Sequence, residues 1–213
     1  MQVGVLGSGI VAQVLAAGFM KHGHAVTIGT RSPEKLAGWK AKNRAATVGS
    51  FAEAAAFGDV LVLAVKGAAA EDVLRQAGAA HLAGKTVMDA CNPIAEVPPV
   101  KGVLQYFTGP NESLMERLQA AFPDARLVKA FSCVGNGQMV NPVFKEGRPT
   151  MFICGNDAAA KQQVRGILDQ FGWEAADMGE AESARAIEPL AMLWCISGFR
   201  HNQWTHAFKV IVP

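Results

Sequence analysis

Six residues near the amino end, Gly7-Ser8-Gly9-Ile10-Val11-Ala12, constrain this chain more than any others. They follow a short apolar run, Val3, Val5 and Leu6, and open a segment in which Val11, Leu15 and Phe19 recur at helical spacing. The local reading is therefore strand, tight turn, helix. In that setting G-x-G-x-x-A has a physical meaning. The first glycine permits the turn, the second lets the backbone approach a pyrophosphate with no Cβ in the way, and the alanine lets the helix sit close on the strand. Free N–H groups of the helix's first turn, with the positive end of its dipole, hold the anion. Gly7, Ser8, Gly9, Ile10 and Val11 are thus the expected phosphate contacts of a dinucleotide, the competing reading being a glycine turn without a ligand.

The second strand bears on which dinucleotide. A carboxylate roughly 20 residues past the glycines accepts from a ribose 2′-hydroxyl in NAD-binding units, whereas an arginine there accommodates a 2′-phosphate. Here Ala25-Val26-Thr27-Ile28-Gly29 runs into Thr30-Arg31-Ser32-Pro33-Glu34-Lys35, with no acid at the strand tip. Thr30 and Ser32 offer hydroxyls, Arg31 a planar charge-assisted contact and Lys35 a point charge one turn later, which favours NADP(H). Under the competing reading Ser32 only caps a helix beginning at Pro33, and Arg31 is a solvated surface charge.

The 213 residues suffice for one sizeable α/β core with a smaller C-terminal extension. A net charge of +2, without a basic run or a basic patch interleaved with aromatics, points away from nucleic acid. The start reads as a strand, since Met1-Gln2-Val3 carries no basic region and Gly7 and Gly9 interrupt any signal-like apolar stretch. The later apolar run from Leu190 to Phe199 is too short to span a bilayer. No membrane partner and a cytoplasmic location are expected. Cys91, Cys133, Cys154 and Cys195 are widely spaced and show no ligand pairing with the histidines, so reduced, mostly buried thiols and no metal are expected, with Cys133 a candidate to line the ligand pocket.

Strand and helix patterns alternate along the chain, predicting an α/β, doubly wound, mainly parallel sheet of Rossmann type covered on both faces. A helix from Pro33 to Lys42 leads to a strand near Ala46 to Val48, and Ser50 caps a helix from Phe51 to Phe57. The continuous apolar run Asp59 to Val65 reads as a strand buried on both sides, and Lys85 to Asp89 as the next. Their exits fall on the carboxyl edge of the sheet, where such folds hold ligands. Val65, Lys66 and Gly67 are expected beside the cofactor's adenosine side or ribose, with Ala64 also among the cofactor contacts, and Cys91, Asn92 and Pro93 beside its nicotinamide. The loop Ile94 to Pro110 is long enough to be a lid or binding loop, and Asn111 is the expected cap of the helix after it. A strand from Arg126 to Phe131 empties into the small, glycine-rich Ser132-Cys133-Val134-Gly135-Asn136-Gly137, where a planar ring could approach the backbone; Ser132, Val134, Gly135 and Asn136 are the expected acceptor contacts. Thr150 to Cys154, a helix capped by Asn156 or Asp157, a strand from Trp173 to Asp177 and an apolar helical end complete the chain. The expected organisation is a dinucleotide-binding unit over 1–155 and a C-terminal strand and helical extension over 156–213 on the same core.

Beyond these features, Gly7-Ser8-Gly9, Thr30-Arg31-Ser32, Asp89-Ala90-Cys91-Asn92-Pro93, Val128-Lys129-Ala130-Phe131, Ile153-Cys154-Gly155-Asn156-Asp157, Asp177-Met178-Gly179 and Glu188-Pro189-Leu190 together resemble the coenzyme F420 (8-hydroxy-5-deazaflavin):NADP oxidoreductases. The chain is also similar to the NADPH-oxidising domain of the STEAP metalloreductases. The resemblance covers nearly all of the chain. It implies direct hydride transfer between NADP(H) and a stacked ring acceptor, a deazaflavin or a flavin as second substrate. The protein then contributes positioning rather than a catalytic acid or base. It also inclines toward a homodimer. Departures fall on the acceptor side: deazaflavin-using members carry a proline after the fourth strand and a histidine after the sixth, where this chain has Lys66 and Ser132. Two further classes stay open, a non-catalytic NADP(H) sensor and a dehydrogenase or imine reductase of the pyrroline-5-carboxylate reductase or 6-phosphogluconate dehydrogenase type. The brevity of the C-terminal helical part argues against the latter. Lys129 is read with equal weight as a pocket lysine and as a solvent-facing charge at a strand edge.

Overall fold

Alternating strands and helices build the molecule, which we describe over residues 1–211 of a computed structural model. In chain order the elements are β1 (Gln2–Leu6), α1 (Ile10–Lys21), β2 (Ala25–Gly29), α2 (Ala37–Lys42), β3 (Thr47–Gly49), α3 (Phe51–Phe57), β4 (Val60–Leu63), α4 (Ala70–Ala77), α5 (Ala79–Leu82), β5 (Thr86–Asp89), α6 (Leu114–Ala121), β6 (Arg126–Lys129), β7 (Thr150–Ile153), α7 (Ala158–Gln170), β8 (Glu174–Asp177), α8 (Ala184–Ile187) and α9 (Pro189–His201). Six strands form one parallel sheet in the order β3-β2-β1-β4-β5-β6. That order reverses between β1 and β4, so the loops leaving these two strands diverge and open a crevice at the carboxyl edge.

The sheet is buried on both faces because its strands alternate two apolar sets. Val3, Val5, Val26, Ile28, Val60, Val62, Met88 and Val128 face one way and pack with Leu15 and Phe19 of α1 and with Val164, Ile167 and Leu168 of α7. Leu6, Leu61, Leu63, Val87 and Leu127 face the other way, against Phe51 and Ala54 of α3, Val73 and Leu74 of α4, and Leu118 of α6.

Several local expectations need correction. The segment from Pro33 to Lys42 is a 3₁₀ turn, Pro33–Leu36, followed by α2. Helix α6 is capped by Ser113 rather than Asn111: the Ser113 hydroxyl accepts from Glu116 N at 3.1 Å and the Glu116 carboxylate accepts from Ser113 N at 2.9 Å, a closed capping box. Asp157, not Asn156, caps α7. Strands β7 and β8 leave the main sheet and pair in parallel with each other, β7 being joined to β6 only by a single antiparallel bridge between Lys129 and Cys154. The expected boundary after residue 155 therefore falls between two strands that pair together. Trp194 of α9 is buried, its indole N–H donating to the His206 carbonyl at 2.8 Å. No helix among the described residues is long and apolar enough to cross a membrane.

Candidate active site

Two adjoining cavities occupy the carboxyl edge of the sheet. The first, about 530 Å³, lies over the β1–β4 switch point. Gly7, Ser8, Gly9, Ile10 and Val11 line it from the first turn, Thr30, Arg31, Ser32 and Lys35 from the end of β2, and Ala64, Val65 and Lys66 from the end of β4. The glycine turn and the basic segment are thus brought to one cleft from three strand ends.

The two glycines of the turn do different work. Gly7 has φ +138°, and a Cβ there would meet the Ala64 carbonyl oxygen at 2.2 Å, so its smallness is required by the fold. Around Gly9 a Cβ would meet nothing within 4 Å, so its smallness leaves open space on the cleft side. Gly9 is also the N-cap of α1; no side chain caps that helix and no acid sits in its first turn, which leaves the orphan N–H groups available to an anion. Gly9→Ala is accordingly expected to leave the melting temperature unchanged while weakening dinucleotide binding about tenfold or more, whereas Gly7→Ala destabilises the fold itself. Thermal denaturation beside a binding titration checks both.

At the β2 tip, Thr30 is buried and its hydroxyl accepts from Ser32 N at 3.1 Å, which bends the chain so that Arg31 projects outward. Ser32 makes no capping hydrogen bond to the 3₁₀ turn that follows, so capping does not occupy its hydroxyl. Arg31 and Lys35 are exposed and take part in no ion pair among the described residues. No carboxylate lines this cleft.

The second cavity, about 550 Å³, shares Val65, Lys66 and Ala90 with the first. Its other walls are Gly67, Ala68, Asn92 and the segment Ile94 to Pro98, apolar except for Asn92 and for Glu96, whose carboxylate accepts from Lys66 Nζ at 3.0 Å across the exposed rim. The loop expected to be a lid or binding loop supplies this wall, folded back on itself by bridges between Ile94 and Tyr106 and between Val100 and Val103. Among the residues expected beside the nicotinamide, Asn92 lines this cavity, whereas Cys91 and Pro93 are buried beneath it. The Cys91 thiol donates to the Leu63 carbonyl, and burial pushes its pKa well up, helped by the nearby Asp89 charge.

The expected acceptor residues stand behind the cavity walls, Ser132 directly against Asn92, whose Nδ2 donates to its carbonyl. Ser132 and Val134 are buried, and neither they nor Gly135 and Asn136 line either cavity. A Cβ on Gly135 would meet Trp194 Cη2 at 2.6 Å, so the planar ring that this glycine admits is the indole of α9. Cys133 is likewise buried away from both cavities, and burial pushes its thiol up to about 12.

Beneath the second cavity lies a charged cluster that sequence reasoning did not assemble. Lys129, at the end of β6, is fully buried rather than solvent-facing and lines neither cavity. Its Nζ donates to Asp89 Oδ2 at 2.6 Å, Glu188 Oε1 at 2.8 Å and the Cys91 carbonyl at 2.9 Å. Burial opposes its charge, but the two carboxylates outweigh that and hold its pKa above the ordinary lysine value. Glu188 further accepts from Leu114 N and Met115 N, both at 3.0 Å, at the positive end of α6. Asp89 Oδ1 accepts from Cys91 N at 2.8 Å, so both backbone polar atoms of Cys91 are clamped. The Tyr106 hydroxyl donates to the Glu188 carbonyl at 2.7 Å and ties down the far end of the loop from Ile94 to Pro110. The advance signals for this hub were the motifs Asp89 to Pro93, Val128-Lys129-Ala130-Phe131 and Glu188-Pro189-Leu190, which name its three charged members without bringing them together.

Comparison with known proteins adds to this geometry. Residues 2–93 match the family model described as NADP oxidoreductase, coenzyme F420-dependent. A provisionally assigned F420-dependent NADP-reductase from Arthrobacter sp. FB24, of known crystal structure, is 32% identical and superposes with a TM-score of 0.92 over 99% of each chain. The metalloreductase STEAP3 of Rattus norvegicus is 32% identical over 90% of this chain, and STEAP2 of Homo sapiens 29% identical over 89%. This chain spans 37% and 36% of the length of those two relatives.

Proposed function

Because this chain belongs to the family of coenzyme F420-dependent NADP oxidoreductases, and so is an NADP-dependent oxidoreductase, we propose that it passes hydride directly between NADP(H) in the first cavity and a ring acceptor in the second. A deazaflavin or a flavin is the acceptor class this reading favours. The observation that carries it is the adjacency of the cavities: a cleft joining the glycine turn to Arg31, Ser32 and Lys35 shares Val65, Lys66 and Ala90 with a mostly apolar cavity of similar volume. The absence of a carboxylate from the first cleft supports the 2′-phosphorylated dinucleotide over its unphosphorylated form.

NADPH, when bound, supplies the hydride. The chain's part is positional. The first turn of α1 is placed for the bridging pyrophosphate and the β2 tip for the 2′-phosphate, Ala90 and Val65 offer apolar contact where the cavities meet, and the apolar wall from Ile94 to Pro98 keeps water from an inserted ring. Steady-state oxidation of NADPH is the test, with a deazaflavin, riboflavin, a quinone and a ferric chelate as alternative acceptors. Turnover with the first two is expected, while tight NADPH binding without turnover on any of them would instead support a cofactor sensor.

A further inference from the structure

Among the described residues, two buried polar atoms beside the second cavity have no hydrogen-bond partner: Asn92 Oδ1, on a residue that lines it, and Ser132 Oγ, on the residue behind Asn92. They belong to one small assembly, because Asn92 Nδ2 donates to the Ser132 carbonyl at 2.7 Å and joins the turn after β5 to the turn after β6. Ser132 is only 4% exposed, and Asn92 lines the second cavity beside Ala90, which lines both. An unsatisfied buried acceptor and hydroxyl are costly to maintain, and beside a cavity a bound group is one way to satisfy them.

The surroundings hold the backbone that carries these side chains. Cys91, immediately before Asn92, has its N–H held by Asp89 and its carbonyl by Lys129. Gly67 packs so closely on the following carbonyl that a Cβ would meet the Asn92 backbone oxygen at 2.0 Å. Phe131, immediately before Ser132, is a buried aromatic residue held at φ +60°, a left-handed conformation that persists only where the surroundings impose it. Both turns are thus locked.

We propose that Asn92 and Ser132 form a preorganised anchor for an amide edge, a ligand group presenting an N–H beside a C=O. Asn92 Oδ1 accepts the N–H and the Ser132 hydroxyl donates to the carbonyl. This inference rests on the placement of cofactor and acceptor given above and deepens it. Two sources carry that chemistry, the carboxamide of the cofactor's nicotinamide and the lactam edge of a flavin-type ring.

The test is equilibrium binding by Asn92→Ala and Ser132→Ala of NADP⁺, of 2′-phospho-ADP-ribose and of the 3-acetylpyridine analogue of NADP⁺, beside the KM for riboflavin and for a deazaflavin. If the carboxamide is held, both variants lose roughly tenfold for NADP⁺ and nothing for 2′-phospho-ADP-ribose, as expected for one hydrogen bond to a preorganised site. The acetylpyridine analogue has a carbonyl but no N–H, so it responds to Ser132→Ala and not to Asn92→Ala. If the ring acceptor is held, NADP⁺ binding is unchanged and KM for the ring rises by a similar factor in both variants. Wild-type affinities and KM values throughout, or equal losses for 2′-phospho-ADP-ribose and NADP⁺, overturn the anchor. Failure of the wild-type protein to bind 2′-phospho-ADP-ribose would instead count against the placement of the cofactor, so the two failures are distinguishable.

Discussion

Lys129→Met is expected to cost about 3–5 kcal/mol of stability, the range for breaking a buried ion pair by removing one partner. The substitution keeps most of the volume but leaves Asp89 and Glu188 buried with no cation between them, and removes a donor from the Cys91 carbonyl. At roughly 2–4 °C per kcal/mol for a domain of this size, the melting temperature should fall by about 6–20 °C. Lys66→Met serves as the contrast: its pair with Glu96 is exposed on both sides, so no measurable change in stability is expected. The pH dependence gives an independent check. Burial works against the Lys129 ammonium, Asp89 and Glu188 outweigh it, and its folded pKa lies above the unfolded value. Its contribution is therefore fully present below about pH 10.4, the unfolded value, and is lost as pH rises through the folded pKa. Wild-type stability should decline in that alkaline window more steeply than that of the methionine variant. Parallel curves would contradict a charged, carboxylate-paired lysine.

The second large effect concerns the donor. Arg31→Ala should weaken NADPH binding by roughly 30-fold, within the span expected for charge-assisted hydrogen bonds to a phosphate, and leave NADH almost unaffected. Arg31 is exposed and lines the first cleft with Ser32 and Lys35, so the loss should shrink as salt is raised. Paired titrations with both nucleotides at low and high salt measure this. Equal losses for the two would remove the 2′-phosphate assignment. Arg31→Lys keeps the charge but not the planar fork, and an intermediate affinity is expected.

Much of the lining of the first cleft is legible in the sequence because it is local. The strand, glycine turn and helix at the amino end depend on residues that are neighbours in the chain, and the spacing of Gly7, Gly9 and Ala12 carries the geometry with it. The same holds for the β2 tip, where Thr30, Arg31, Ser32 and Lys35 reach the cleft directly from the strand end. The wall from Ile94 to Pro98 lay within the loop expected to cover the site, but nothing in its sequence singled out those residues. Phe51 and Val73 line the first cleft although they read simply as core positions of their helices.

What the amino-acid sequence determined by itself is the α/β alternation, the two-sided burial of its strands and a glycine turn opening a helix beside a strand tip that is basic rather than acidic. Each follows from periodicity or spacing over a few residues. Tertiary structure alone decided the fate of Lys129 and of the turn after β6. A lysine at a strand end looks the same in sequence whether it meets water or two carboxylates, and here Asp89 arrives from the neighbouring strand and Glu188 from the far end of the chain. Likewise the small residues from Ser132 to Gly137 suggested an open approach for a flat ring. The fold fills the space over Gly135 with Trp194, and the open cavity is lined instead by Asn92 and the segment from Ile94 to Pro98. Glycine signals room beside the backbone, and only packing determines what occupies it.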